Sequence, residues 1–412
     1  MCSPKEGIEY MNNAPYLIQN IINCYKDQLL AKPMPLKHIK AVEAISSCRT
    51  TECGVSVYEC DDKLTETHIP HSCRHRSCWL CASRRRYQWV EEQQQRLLDC
   101  PHFHCVFTLP HEYHGLWQYN QRWFVDTFFD VVRSTLMDLL KDKAEHGLVP
   151  GILMAMHTWG RQLALHPHIH CVVTGGGVNK SGQWVSTGKY LLPARQLRAL
   201  YRGRFQDRIK MAYAAGELTL PPDQSGRDFL VLYKSTYKKT WCVQIEEQYA
   251  HGRGVLKYLS RYLRGGPINP NQIVRCDSQQ IGFRYKDHRA KKTKILNLKP
   301  GEFIRRLLQH VPESRQHMVR HYGVYAGAAK VRRNTCREQL GGLMESLNES
   351  VQVEKEELYC SCCGSIMRLA WRIYPKRKKA NSYKVESRQW QVQQQDEPVI
   401  GRGKKKITAL RL

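Results

Sequence analysis

No uninterrupted apolar run in the 412 residues approaches the ~18 that a membrane-spanning helix needs. The opening MCSPKEGIEY lacks the hydrophobic stretch of a secretory signal, so the expected location is the cytoplasm. No segment recurs at a fixed period, which excludes a repeat architecture. The phosphate-cradling pattern GxxxxGK[ST] is missing, and with it any P-loop helicase module. Acidic residues are scarce: 37 Asp and Glu face 64 Lys and Arg, a formal charge of +27. Yet 42% of the residues are hydrophobic and 25% charged, a balance that excludes wholesale disorder.

A surplus of positive charge this large implies a polyanionic partner, because Lys and Arg gain affinity by displacing counterions from phosphates. The 21 Tyr and 9 Trp supply rings on which bases can stack. Nucleic acid is therefore the expected partner, and charge alone does not choose DNA or RNA. The 17 cysteines are an odd number with no secretory signal, so clustered cysteines point to metal in a reducing compartment rather than to disulfides. Eight of them fall between Cys48 and Cys105, which places a zinc module near the N-terminus.

At ~100–200 residues per domain, the chain should hold two or three domains. Residues 8–47 read as two short helices broken at Lys32-Pro33-Met34-Pro35. Residues 48–81 are rich in Cys and His and poor in hydrophobic periodicity, as expected where a metal replaces a core. A polar helix follows, with Arg84, Arg85 and Arg86 at its start. HFHCVFTL (102–109), GILMAMHTW (151–159) and HIHCVVTG (168–175) read as strands, with a helical segment over roughly 118–146. GGGVNKSGQWVS reads as a hairpin and LPARQLRALYRGRFQDRIKMAY as a basic amphipathic helix. RGVLKYLSRYL (253–263) is another predicted helix, IGFRYKD and KKTKILNL a hairpin, and EFIRRLLQHV a helix. The expected fold is α+β, a largely antiparallel sheet with flanking helices, preceded by a small zinc-binding module. Expected boundaries are 1–47 (helical), 48–98 (zinc module), 99–335 (main domain) and 336–412. That last part combines an acidic linker, Cys360, Cys362 and Cys363, and a basic tail with runs at 376–379 and 404–406.

The sharpest local feature is His168-Ile169-His170. On a strand, alternate side chains share a face, so both imidazoles point one way while Ile169 enters the core. Two imidazoles on one face make a bidentate metal site. His157, at the end of the preceding predicted strand, is a candidate third ligand across a hairpin. Tyr258 and Tyr262 stand at i, i+4 on a predicted helix and so share a face. Beside a metal-bound phosphate, such a phenolate can attack phosphorus and form a covalent phosphotyrosine. Arg253, Lys257 and Arg261 nearby would ease phenol ionisation and bind the DNA backbone.

HTWGRQLALHPHIHCVVTGGG followed by KYLSRYL resembles the two-tyrosine HUH transposases of rolling-circle insertion sequences. These form the group of insertion sequence ninety-one and its common-region relatives. HFHCVFTLP is similar to that family's first strand motif. SCRHRSCWLC is similar to its zinc module, and the segment from FRYKDHRAKK to VRHYG to its trailing part. The resemblance covers residues from about 40 to 330. It implies an HUH endonuclease-like sheet in a bacterial, DNA-associated enzyme. It implies that His168 and His170, with His157 as candidate, hold Mg²⁺ or Mn²⁺, and that Tyr258 and Tyr262 attack single-stranded DNA. A 5′-phosphotyrosine and a free 3′-hydroxyl would result. It implies zinc at Cys60, Cys73, Cys78 and Cys81, in a module that binds hairpin ends with Arg74, Arg76 and Arg84–Arg86 on phosphates. Lys63 stands where the family has the second cysteine of a CxxC. The completion of the zinc set is therefore left open among Cys73, Cys53, Cys48, His68 and His71. Cys360-x2-Cys363 is a lone half-site. The same chemistry also serves plasmid replication initiators and relaxases, and a non-catalytic zinc-binding DNA-binding protein is the third reading.

Overall fold

The computed structural model describes residues 14–60, 65–143, 147–250, 266–287, 290–342, 357–375 and 390–394. In chain order, α1 (Leu17–Leu30) and α2 (Leu36–Ser46) precede β1 (Val55–Glu59), β2 (Glu66–Pro70), α3 (Trp79–Arg96) and β3 (His102–Thr108). Next come α4 (His114–Tyr119), α5 (Gln121–Lys143), β4 (Val149–Trp159), β5 (Leu165–Val178) and β6 (Trp184–Ser186). They are followed by α6 (Ala194–Ala214), α7 (Gly226–Lys238) and β7 (Val243–Tyr249). The remainder is β8 (Ile273–Cys276), β9 (Ile281–Asp287), β10 (Lys292–Leu298), α8 (Pro300–Leu308), β11 (Val319–Gly323), α9 (Lys330–Gln339), β12 (Arg368–Pro375) and β13 (Trp390–Gln394).

These elements form two compact units whose borders are not the expected ones. The larger joins the described residues up to 46 with 74–342; the smaller joins those of 47–73 with those beyond 351. The expected zinc module of 48–98 is thus divided. Its helix α3 belongs to the larger unit, where Trp89 packs with Leu98, Leu153, Val172 and Tyr325. The expected tail of 336–412 is divided too. Its strand β12 pairs with β1 in a sheet ordered β13-β12-β1-β2, so this part is folded structure rather than a solubilising arm. The basic runs at 376–379 and 404–406 lie outside the described residues.

In the larger unit, a sheet ordered β11-β4-β5-β3-β7, with β6 on β5, is antiparallel at every pairing. Alternation decides its two faces. Phe103, Cys105 and Phe107 of β3, Ile152, Met154 and Met156 of β4, and Ile169, Cys171 and Val173 of β5 all face one core. Helices α4–α7 cover that face with Trp117, Phe124, Phe128, Tyr201, Phe205 and Phe229. At ~1.5–3 kcal/mol for each buried large side chain, this face is what holds the strands in register. The alternate residues must therefore appear on the other face. At one end of it Leu153 and Val172 form the smaller cluster with Trp89; at the other end stand histidines. The predicted 281–298 hairpin is β9–β10, inside a second sheet ordered β10-β9-β8. The predicted glycine hairpin also forms, but β5 runs straight through Gly175–Gly177 to pair with β6.

Candidate active site and cysteine clusters

His157 and His168 are directly opposite each other on β4 and β5, and His170 follows two residues on along β5. All three imidazoles therefore project from the same face, with ligand nitrogens within 4.8 Å of one another. Ring centroids are 4.5 Å apart for His157–His170, 4.8 Å for His168–His170 and 5.3 Å for His157–His168. The Trp159 indole stacks on His157 at 4.9 Å. Burial pushes His168 down to about 4 and holds His157 and His170 well below the ordinary imidazole value; each neighbouring imidazole adds to the depression. At neutral pH the three rings are uncharged, the state a divalent cation requires.

The hydrogen bonds around these rings fix which nitrogen each presents. His168 Nδ1–H donates to the His166 carbonyl at 2.6 Å, so Nε2 carries the lone pair. His170 is set by a longer chain. Glu246 Oε2 lies 2.6 Å from His104 Nδ1, and His104 Nε2 lies 2.9 Å from His170 Nδ1. An ionised carboxylate only accepts, so His104 Nδ1 carries a proton and its Nε2 accepts from His170 Nδ1–H. His170 is left with its lone pair on Nε2. This is the carboxylate–histidine support that metal-binding imidazoles use.

Neither His104 nor Glu246 was among the expected site residues. His104 had a signal, since His102 and His104 alternate in HFHCVFTL as His168 and His170 do. The two differ by partner: His102 is held between the Cys100 carbonyl at 2.8 Å and the Tyr325 hydroxyl at 2.6 Å. Glu246 had none. It reaches His104 because the β3–β7 register slips between Phe103 and Cys105, a bulge that re-aims the side chain.

Tyr258, Tyr262, Lys257 and Arg261, with Arg253, lie outside the described residues. Arg74 is exposed; Arg76 is exposed but donates to the Gln316 carbonyl at 2.6 Å. Arg84, Arg85 and Arg86 belong to α3, and their side chains lie outside the described ones.

The cysteines do not assemble as expected. Cys60 is not grouped with Cys73: its thiol converges with those of Cys360 and Cys363, within 4.8 Å, because β12 lies against β1. Within the smaller unit, Cys73 N–H instead donates to the Cys48 sulfur at 3.5 Å. In the larger unit, Cys78 caps α3 and Cys81 follows on its first turn, both buried.

Three comparisons bear on these sites. Residues 17–109 match the family described as "Transposase zinc-binding domain", a span that takes in Cys48, Cys60, Cys73, Cys78 and Cys81. Residues 151–334 match the family described as "Putative transposase", which takes in all three clustered histidines. The chain is 29% identical over 328 residues to the transposase for insertion sequence element IS801 of Pseudomonas savastanoi pv. phaseolicola, covering 78% of this chain and 77% of that one. It is 32% identical over 325 residues to the protein named "Putative transposase y4qJ" of Sinorhizobium fredii, covering 77% of this chain and 81% of that one. No solved structure gives a significant match. Two matching domains in this order, and relatives matched over most of their length, place the chain in the transposase family of the insertion-sequence-ninety-one type.

Proposed function

We propose that this chain is a transposase that cleaves and rejoins single-stranded DNA, hairpin ends included, through a 5′-phosphotyrosine intermediate in rolling-circle transposition. The observation that carries the reading is the convergence of His157, His168 and His170 on an antiparallel strand pair, within a chain whose relatives are named transposases. The donor set fits a divalent ion: three neutral imidazoles, two of them with their tautomer fixed by hydrogen bonds. Mg²⁺ or Mn²⁺ held there would supply Lewis-acid polarisation of the scissile phosphate.

The protein's own groups do the rest. The phenol oxygen of Tyr258 or Tyr262 attacks phosphorus; the new P–O bond forms as the bond to the 3′ oxygen breaks. The departing oxygen takes a proton and becomes a 3′-hydroxyl. The covalent link conserves the bond energy, so the reverse attack rejoins strands without nucleotide hydrolysis. Lys257 and Arg261 favour phenol ionisation, and Arg74, Arg76 and Arg84–Arg86 bind phosphates. His104 and Glu246 hold His170 in its ligating tautomer. For the zinc of the N-terminal domain, we assign Cys48, Cys73, Cys78 and Cys81. The Cys48–Cys73 contact supports this, as does the Cys78-x2-Cys81 half-site that begins five residues after Cys73.

The test is strand cleavage of a single-stranded oligonucleotide pool that includes the element's ends, with Mn²⁺, read on a denaturing protein gel. Wild type gives a metal-dependent covalent protein–DNA band. His168→Ala/His170→Ala abolishes it, and Tyr258→Phe and Tyr262→Phe identify the attacking phenol. A protein that binds this DNA but forms no adduct under these conditions would sink the catalytic reading.

A further inference from the structure

We propose that Cys60, Cys360 and Cys363 form a second zinc site, separate from the N-terminal set, that clamps the chain's C-terminal segment onto its β1–β2 strand pair. The three sulfurs lie within 4.8 Å of one another although Cys60 and Cys360 are 300 positions apart. Cys60 and Cys360 are buried, while Cys363 is exposed yet still turns its sulfur toward them.

The turn that carries Cys360 and Cys363 is built as a metal-binding knuckle. Cys360 N–H donates to the Ser365 carbonyl at 2.8 Å, and Gly364 N–H returns to the Cys360 carbonyl at 2.9 Å. Gly364 sits at φ +71°, the left-handed position that closes such a turn. Tyr359 and Ile366 bridge its base. Donors already surround the sulfurs: Cys362 N–H lies 3.4 Å from Cys360 Sγ, and the Thr65 hydroxyl 2.9 Å from the same sulfur and 3.7 Å from Cys60 Sγ. Hydrogen bonds to sulfur favour thiolate, the form that ligates.

The unit also needs a staple. Apart from cysteines, its buried apolar side chains among the described residues are Val55, Val57 and Met367. So small a core seldom holds a fold without metal or disulfide. Three cysteines are one too many for a disulfide and suit a borderline-soft divalent ion; a tetrahedral Zn²⁺ keeps one position for water or a further side chain. Binding releases the thiol protons and couples metal uptake to closure of the sheet.

The experiment is zinc content per chain, by plasma mass spectrometry on full-length protein purified under reducing conditions and dialysed free of loose metal. Cys363→Ser is expected to lose one equivalent relative to wild type. Cys363→His, which keeps a ligating nitrogen, is expected to retain it, and Cys362→Ser to match wild type. In a Cys48→Ser background, Cys363→Ser should remove one further equivalent, which separates this site from the N-terminal one. Unchanged zinc in Cys363→Ser, failure of Cys363→His to retain the equivalent, or an equal loss in Cys362→Ser would each overturn the proposal. So would a Cys60–Cys360 or Cys60–Cys363 disulfide in protein that has never been reduced.

Discussion

Two hydrogen bonds decide which nitrogen His168 and His170 present, and burial decides that those nitrogens are unprotonated. The consequence is a pH profile. Three ordinary imidazoles would lose about fiftyfold in metal affinity between pH 7.5 and 6, as protons compete for the lone pairs. Here that competition starts at lower pH, because each ring is pushed down. Mn²⁺ affinity of the full-length protein, followed by calorimetry, should therefore change less than about twofold across the same interval. The chain from Glu246 makes a second forecast. Glu246→Ala releases His104 and with it the His170 tautomer. Mn²⁺ affinity should then fall by roughly 10-fold, and His104→Ala should cost up to ~100-fold. Glu246→Gln, whose amide oxygen still accepts from His104, should recover part of the loss. If Glu246→Ala binds Mn²⁺ as wild type does, the carboxylate plays no part in holding the ligand.

At the scale of elements, the site depends on the fit of β4 between β5 and β11. Gly323 ends β11 at φ +59°, and a Cβ there would lie 1.8 Å from the Pro150 carbonyl oxygen. Gly323→Ala should destabilise the protein by more than about 2 kcal/mol in urea unfolding, with both strain and collision acting. Gly203→Ala, inside α6 with open space around it, should instead stabilise by roughly 0.5–1 kcal/mol. Equal effects from both substitutions would show that the Pro150 contact is not made. The same elements show what a sequence can and cannot say. The period of two placed His168 and His170 on one face and Ile169 in the core, and the structure keeps that alternation. His157 was legible because a short connection forces β4 and β5 into register. Glu246 was not, since its reach depends on a one-residue slip that no local pattern encodes. Cys60 was misassigned for a related reason. Spacing tied it to its sequence neighbours, whereas strand pairing with β12 decides its company. The tyrosine pair fell outside what the structure describes, and the case for it rests on the resemblance.

For the whole molecule, a charge of +27 predicts binding that is strongly salt-dependent. If five or more phosphates are contacted on single-stranded DNA, log affinity should fall against log salt with a slope of about −3.5 or steeper. Fluorescence anisotropy between 50 and 300 mM salt measures it, and a flat response would argue against backbone contacts as the main source of affinity.

The smaller unit joins segments made far apart in time. Strand β1 leaves the ribosome long before β12, its partner from Val55↔Ile373 to Glu59↔Arg368. At ~5–20 residues per second, β1 waits on the order of fifteen to sixty seconds for that partner. Until then the hairpin has an open edge, and a chain ended early by a frameshift or nonsense codon never closes it. The pairing is therefore a signature of completed translation. Only a finished polypeptide has its amino-terminal hairpin sealed, so an interrupted copy of the gene yields a protein that is incomplete at both ends.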